Sequence, residues 1–137
     1  MEIAFPFELF VLGTPVSQQS RLRANRDAWQ ARIREACTLS LPEAHRASQA
    51  VVAVTIYYFP AEPMQGDLDN IIKPILDALS RYVFVDDAQV ERLVVQRFLP
   101  DGAPELTDPS NVLKQAWQAE RPVLYVRISD DLMKEPT

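Results

Sequence analysis

Residues 51–59 restrict the fold more than any other stretch, because their sequence, VVAVTIYYF, is almost entirely apolar or aromatic. Thr55 is the only polar member, and most of the others are β-branched or aromatic, which favours extended backbone. Strands that face water on one side alternate polar and apolar residues, and this run does not alternate. It therefore predicts a strand that is buried on both faces.

The rest of the chain predicts helices and strands around this run. Two main helices are expected, at residues 24–39 and 71–80, because apolar residues recur there at helical spacing. In the first helix the apolar stripe consists of Trp29, Ile33, Ala36 and Cys37. The other predicted elements are strands at 3–12, 83–85, 90–98 and 122–128, and a short helix at 110–119. This order predicts an α+β fold, with a mixed or antiparallel sheet packed with two main helices.

A chain of 137 residues predicts a single domain, residues 1–137, with a core of about residues 7–128. Residues 129–137 are expected to form a flexible tail. No apolar run reaches the roughly 18 residues of a membrane span, and the first residues lack the pattern of a signal peptide. The single cysteine predicts a cytoplasmic location. The lack of a long apolar run predicts that the protein has no membrane partner.

Composition also narrows the chemistry. The net charge of −5 argues against a broadly basic nucleic-acid-binding surface, but residues 21–34 hold five arginines against one acid. The single histidine excludes histidine-based triads and makes an imidazole zinc site a poor fit. Only three glycines are present, which argues against a glycine-rich phosphate loop, and no organic cofactor is expected.

The strongest chemical signal is a concentration of carboxylates around the second main helix. Six acidic residues lie between positions 67 and 91, and Asp67–Asp69 and Asp86–Asp87 are the two close pairs. Crowded carboxylates repel one another, and a bound divalent cation relieves that repulsion. Because histidine and cysteine are absent from this segment, an oxygen-preferring cation is expected, Mg²⁺ with Mn²⁺ as a substitute.

The spacing of these residues suggests a site for phosphodiester hydrolysis. Asp67 and Asp69 are two positions apart before the helix, so in extended backbone their side chains point to the same face. Asp87 follows the helix and can fold back beside them, while Lys73 lies one helical turn beyond Asp69 and can hold a phosphate. Bound Mg²⁺ would activate water and stabilise the phosphorane and the departing oxygen.

Each of these residues taken alone has a simpler interpretation. Asp67 or Asn70 can be a helix cap, and the acidic pair at 86–87 can be a solvated turn. Lys73 can be a surface charge, and Asp77 is expected to pair with Arg81 four residues on. The arginines of residues 21–34 can be the solvated side of a helix. If they bind DNA instead, the expected contacts are Arg21, Arg23 and Arg26.

Taken together, the sequences GDLDNIIKPILDAL at 66–79 and VDDAQV at 85–90 closely resemble the RusA family of Holliday junction resolvases. The sequence GTPVSQQ at 13–19 resembles the N-terminal loop of that family more loosely, and the likeness covers about residues 7–128. It implies a small α+β homodimer that cuts four-way DNA junctions with Mg²⁺ or Mn²⁺. By position, the resemblance implies metal-binding carboxylates at Asp67, Asp69 and Asp87, with Asp86 in the adjacent acidic position, and a catalytic lysine at Lys73.

The predicted function is therefore a metal-dependent, structure-selective endonuclease that resolves Holliday junctions by paired cuts in DNA recombination and repair. A C₂ dimer suits this task because it presents two equivalent sites to a junction of approximate two-fold symmetry. One alternative is a catalytically silent module of the same fold that binds branched DNA. Another is a Mg²⁺-dependent hydrolase of small phosphate esters.

Overall fold

The computed structural model describes residues 2–134 and shows one four-stranded mixed sheet with three helices. The strands are β1 (Phe7–Leu12), β2 (Val52–Phe59), β3 (Val90–Arg97) and β4 (Val123–Ser129), and the helices are α1 (Arg23–Ser40), α2 (Ile72–Leu79) and α3 (Asn111–Gln118). Two 3₁₀ helices, Leu68–Ile71 and Asp87–Gln89, stand on either side of α2. The strand order is β1-β4-β2-β3, so β1 and β3 form the edges.

The central position of β2 confirms the interpretation of its apolar sequence. β2 pairs antiparallel with β4 on one side and parallel with β3 on the other, and all eight of its residues are buried. Its side chains enter two apolar clusters, with Val54 and Ile56 in one and Tyr57 and Phe59 in the other. Since neighbouring side chains of a strand point to opposite faces, both faces of the sheet are covered.

The two main helices cover one face, and their apolar stripes lie where the periodicity predicts them. In α1, Trp29, Ile33 and Cys37 are buried in the same cluster as Ile75 and Leu79 of α2. Polar bonds also join the two helices. The Gln30 side chain donates to the Pro74 carbonyl over 3.0 Å, and Arg34 Nε donates to the Ala78 carbonyl over 3.0 Å.

The short helix α3, which confirms the helix predicted at residues 110–119, covers the opposite face and packs on the sheet together with the two main helices. Its residues Leu113 and Ala116 are fully buried beside aromatic side chains of β2 and β4, including Phe59 and Tyr125. Ser110 begins the helix as its N-cap, because its hydroxyl accepts the Leu113 N–H over 3.1 Å. The sheet is therefore the middle of three layers.

The strand predicted at residues 83–85 is wrong, because the chain makes a tight turn there. The Val83 N–H bonds to the Leu79 carbonyl over 2.8 Å, and Phe84 makes only isolated bridges to Ser48 and Ser80. Val83 and Phe84 are nevertheless completely buried. Their apolar character reports burial in a turn, which a three-residue run cannot distinguish from a strand.

The other boundaries differ from the prediction by smaller amounts. β1 begins at Phe7 rather than at residue 3, and β4 extends to Ser129, inside the predicted tail. The Leu132 carbonyl accepts a bond from Arg92 over 3.1 Å, whereas residues 135–137 of the predicted tail lie outside the described residues. Within residues 2–134, no helix is both long and apolar enough to span a membrane.

Candidate active site

Asp67 and Asp69 stand at the start of the segment that leads from β2 into α2. Gly66, with a φ of +83°, turns the chain, and Asp67 then has extended backbone before the first 3₁₀ helix. Both aspartates are exposed, and their side chains form no hydrogen bond or ion pair with any described residue. Asp67 occupies the N-cap position of this 3₁₀ helix, but its side chain makes no capping hydrogen bond, so its carboxylate is available to a ligand.

Two hydrogen bonds from distant parts of the chain hold this segment in place. The Gln18 N–H, in the loop of residues 13–20, donates to the Asn70 carbonyl over 2.7 Å. Arg97, the last residue of β3, donates from Nη1 to the Gly66 carbonyl over 3.0 Å. The backbone that carries Asp67 is thus fixed from both sides, which limits the entropy that ordering it around a ligand would cost.

Lys73 lies on α2 and joins this helix to the second acidic pair. Its Nζ lies 2.8 Å from Asp87 Oδ2 and 2.9 Å from Asp77 Oδ1. Asp87 thus contacts α2 through Lys73, whereas its expected position beside Asp67 and Asp69 stays a prediction. The expected pairing of Asp77 with Arg81 is wrong, because α2 ends at Leu79 and Arg81 adopts a left-handed backbone with φ of +64°.

The Lys73 contacts set the protonation of both partners. The hydrogen bonds to Asp87 and then to Asp77 raise the pKa of Lys73, so its ammonium stays charged at neutral pH. The hydrogen bond from Lys73 is likewise the main cause that lowers the pKa of Asp87. The two groups thus stand as an ammonium and a carboxylate, and both are partly exposed to solvent.

Asp86 has a structural task that its neighbour Asp87 lacks. Asp86 Oδ1 accepts the Ala88 N–H over 2.9 Å, while Gln89 Oε1 accepts the Asp86 N–H over 2.9 Å, which completes a capping box for the second 3₁₀ helix. Gln89 Nε2 also donates to the carbonyls of Ser48 and Ala50, each over 2.8 Å. Gln89 is absent from the predicted site, although its D-x-x-Q spacing is that of a capping box.

The four aspartates are suitable in kind for Mg²⁺, since carboxylate oxygens are its usual protein ligands. Their arrangement is less complete, because within residues 2–134 no three acidic, histidine or cysteine side chains converge on one point. The Lys73 ammonium supplies the positive charge beside Asp87. Because the described fold does not gather three such side chains, the ligand set stays a prediction, with Asp67, Asp69, Asp87 and Asp86 as its members.

The basic segment divides into exposed and structural arginines. Arg21 and Arg23 are exposed, and Arg23 lies only 3.9 Å from Asp27 in a solvated pair. Arg26 donates to the Gln18 carbonyl over 3.3 Å, which places it against the loop that holds Asn70. Arg32 and Arg34 instead donate to backbone carbonyls of β1 and α2. The first three remain the predicted DNA contacts.

Two further residues have the structural roles that the sequence predicts. Trp29 is buried in the main core and is not a surface for stacking bases. Cys37 is fully buried, and burial raises the pKa of its thiol to about 12. A thiol of that pKa holds almost no thiolate at neutral pH, which excludes Cys37 as a nucleophile.

Comparison with protein families gives the geometry a context. The family model described as endodeoxyribonuclease RusA matches residues 14–128, which include the loop at 13–20 from its second residue, both acidic pairs and Lys73. No curated protein matches the chain significantly. The match extends over most of the 137 residues, and the four-stranded mixed sheet with three helices agrees with it. The chain therefore belongs to the RusA endodeoxyribonuclease family of Holliday junction resolvases.

Proposed function

We propose that this protein is a Mg²⁺-dependent endonuclease that resolves four-way DNA junctions by paired phosphodiester hydrolysis, in DNA recombination and repair. Mn²⁺ is expected to replace Mg²⁺, and the active form is a cytoplasmic homodimer that offers one site to each of two strands. One observation carries the proposal. Two exposed carboxylates without a partner among residues 2–134, Asp67 and Asp69, precede the helix whose Lys73 pairs with Asp87.

Asp67, Asp69 and Asp87 are the residues that would hold the cation, and Asp86 is the adjacent acid. When bound, the cation would supply an activated water and positive charge at the scissile phosphate. Bringing several carboxylates together costs free energy, because like charges repel. Asp67 and Asp69 are exposed to solvent, so this cost would arise only when they gather around the cation.

Lys73 acts as a charged hydrogen-bond donor in this scheme. A protonated amine has three donors and no acceptor, so it cannot take a proton from water. The contacts that raise its pKa keep it in this form, and it can therefore stabilise a phosphate oxygen or the departing oxygen. Asp77 holds the ammonium from the other side over 2.9 Å.

The direct test is cleavage of a synthetic four-way junction with Mg²⁺ or Mn²⁺ by wild-type protein and by Asp69→Asn. Wild type should produce paired nicks. Asp69→Asn should bind the junction but cut it at least about a thousandfold more slowly, the scale of losing one catalytic group. Its free energy of unfolding should change by less than about 0.5 kcal/mol, because the Asp69 side chain is exposed and unpaired.

If wild type and Asp69→Asn are equally inert across branched substrates at low salt, the nuclease proposal fails. The alternative of a silent branched-DNA-binding module then becomes the better one. A specific observation favours that alternative: Lys73 already neutralises Asp87, and no three carboxylates converge within the described residues. Gel-shift binding to junctions without any metal-dependent cut would select it.

A further inference from the structure

A cleft of about 420 Å³ opens directly beside Asp67. It lies between the loop of residues 13–20 and the loop of residues 60–66, and its volume is within the roughly 300–1,000 Å³ of small-molecule sites. The bonds to the Asn70 and Gly66 carbonyls, described above, fix two of its lining residues. The fold therefore anchors part of the cleft wall through hydrogen bonds to distant segments.

The walls of the cleft are mostly apolar. The larger apolar lining residues are Pro15, Tyr58, Pro63, Met64, Ile71 and Pro122. Proline rings, an aromatic ring and a thioether offer flat and polarisable surfaces, which suit a planar ring between them. The shape and composition thus favour an aromatic group over an extended polar chain.

The charges around the cleft exclude a phosphate as its main occupant. Its charged lining residues are Glu62 and Asp67, and no lysine, arginine or histidine lines it. Arg97 bonds to the carbonyl of the lining residue Gly66, and Arg26 bonds to the carbonyl of Gln18, which follows the lining residue Ser17, but neither arginine lines the cleft. A nucleotide would therefore place its neutral base inside the cleft and its phosphates outside, towards the arginines.

Two side-chain amides supply polar groups at the cleft. Asn70 and Gln65 both line it, and neither side chain forms a hydrogen bond with a described residue. An amide has donors and an acceptor, the combination that pairs with the polar edge of a base. The cleft thus offers apolar surfaces for the faces of a base and polar groups for its edge, as a site for an unpaired base requires.

We propose that this cleft binds one nucleobase of the cleaved strand, unpaired and unstacked beside Asp67. The inference rests on the proposed function, because it assigns a base subsite to the same DNA substrate. Taking a base out of a duplex costs least where pairing is already interrupted, as at a branch point. The cleft would thus favour branched DNA over intact duplex and position the adjacent phosphate near the aspartates.

The first test needs no cleavage and uses methyl-labelled methionine. The chain has three methionines, and the Met64 signal is assigned by its loss in Met64→Leu. Titration with each of the four deoxynucleosides should shift the Met64 methyl resonance, whereas 2-deoxyribose 5-phosphate should not. The inference is overturned if no nucleoside moves that signal, or if the sugar phosphate moves it equally.

Two exposed glutamines provide a matched pair of variants. Gln65→Trp fills the cleft and should abolish the nucleoside-induced shift, while Gln96→Trp, outside the cleft on β3, should leave it unchanged. Thermal unfolding of both variants checks that they fold. Equal responses of the two variants would show that the nucleosides bind elsewhere.

The second test uses junctions with a single abasic site placed in turn at each nucleotide around the mapped nick. One position should reduce cleavage about tenfold, the scale of losing one stacked base. A uniform response across positions contradicts the inference. If no junction is cut at all, the proposed function fails, but the nucleoside titration still decides whether the cleft binds a base.

Discussion

The two acidic pairs that flank α2 differ in how far their oxygens are engaged within the fold. Asp67 and Asp69, before the helix, have no hydrogen-bond or ion-pair partner among the described residues. Asp86 and Asp87, after it, are both occupied, the first by the backbone of a 3₁₀ helix and the second by Lys73. The two pairs look alike in the sequence, but a ligand must compete with existing contacts to bind Asp86 or Asp87, whereas Asp67 and Asp69 have none among the described residues.

Because of this difference, substitutions in the two pairs should affect activity and stability differently. Removing a free, exposed carboxylate affects what the protein can bind and leaves its stability nearly unchanged. Removing a carboxylate that caps a helix lowers stability, whatever it does to activity. Asp87 lies between these cases, because its partner Lys73 is itself a proposed catalytic group. Substitutions at and around the second pair therefore test this contrast.

Among the substitutions at and around the second pair, Lys73→Met should have the largest effect. Cleavage should fall by about a hundredfold or more, the scale of losing a positioned proton or charge donor. The pKa of Asp87 should rise, because the hydrogen bond from Lys73 is the main cause that lowers it. Single-turnover cleavage and an NMR titration of the carboxylates measure the two effects, with Lys114→Met on α3 as the control.

The sign of the accompanying pH dependence follows from the lowered pKa of Asp87. A carboxylate with a lower pKa in the folded state adds stability above its unfolded pKa of about 3.9. That stability is lost as the pH falls through the folded pKa. Wild type should therefore lose more stability than Lys73→Met below about pH 4. If both proteins show the same acid profile, the ion pair does not persist in solution.

Asp77→Asn should have a smaller effect on cleavage, of about three- to tenfold. It removes one of the two carboxylates that hold the Lys73 ammonium and leaves the pair with Asp87. Stability should change by less than about 0.5 kcal/mol, because an exposed pair at i,i+4 contributes little. Asp101→Asn, an exposed position outside the site, is the control. A loss as severe as that of Lys73→Met would place Asp77 among the essential carboxylates.

Local patterns were sufficient to predict the parts of the fold that are decided within one element. The unbroken apolar run of β2 and the stripe of Trp29, Ile33 and Cys37 needed no knowledge of their partners. Residues 83–85 were predicted wrongly because Val83 bonds to the preceding helix. The covering of the second face by α3 is likewise a tertiary event, which the periodicity of a short helix cannot reveal.

The site shows the same limit at the level of single side chains. Asp77 has a cation four residues away on both sides, Lys73 and Arg81, so spacing alone cannot choose between them. The end of α2 at Leu79 decides, because Arg81 is no longer on the helix surface. The contact between Lys73 and Asp87 was not predicted either, because residues 14 positions apart meet only through the tertiary path of the chain.

Asp86→Ala tests the structural half of the contrast. It should lower the free energy of unfolding by about 1 kcal/mol, the usual scale of a lost N-cap. Asp86→Asn keeps an oxygen that can accept the Ala88 N–H, so it should retain stability, and its cleavage rate tests the predicted role of Asp86 as a metal ligand. Asp67→Asn is the matched control, since it should lose cleavage without losing stability. Loss of cleavage in Asp86→Asn would instead make Asp86 a metal ligand, as the sequence alone suggests.

Arg81→Gly should give the smallest effect and the only stabilising one. Arg81 has a φ of +64° in the turn that leads from α2 towards the second acidic pair, and this conformation costs a non-glycine residue about 1–2 kcal/mol. The greater entropy of glycine in the unfolded chain offsets roughly 0.5–1 kcal/mol of that gain. Urea unfolding should therefore show a net stabilisation of about 0.5 kcal/mol, with cleavage unchanged. Arg81→Ala, which keeps the strained backbone, should show no gain; if it stabilises as much as glycine, the Arg81 side chain and not the backbone is the unfavourable element.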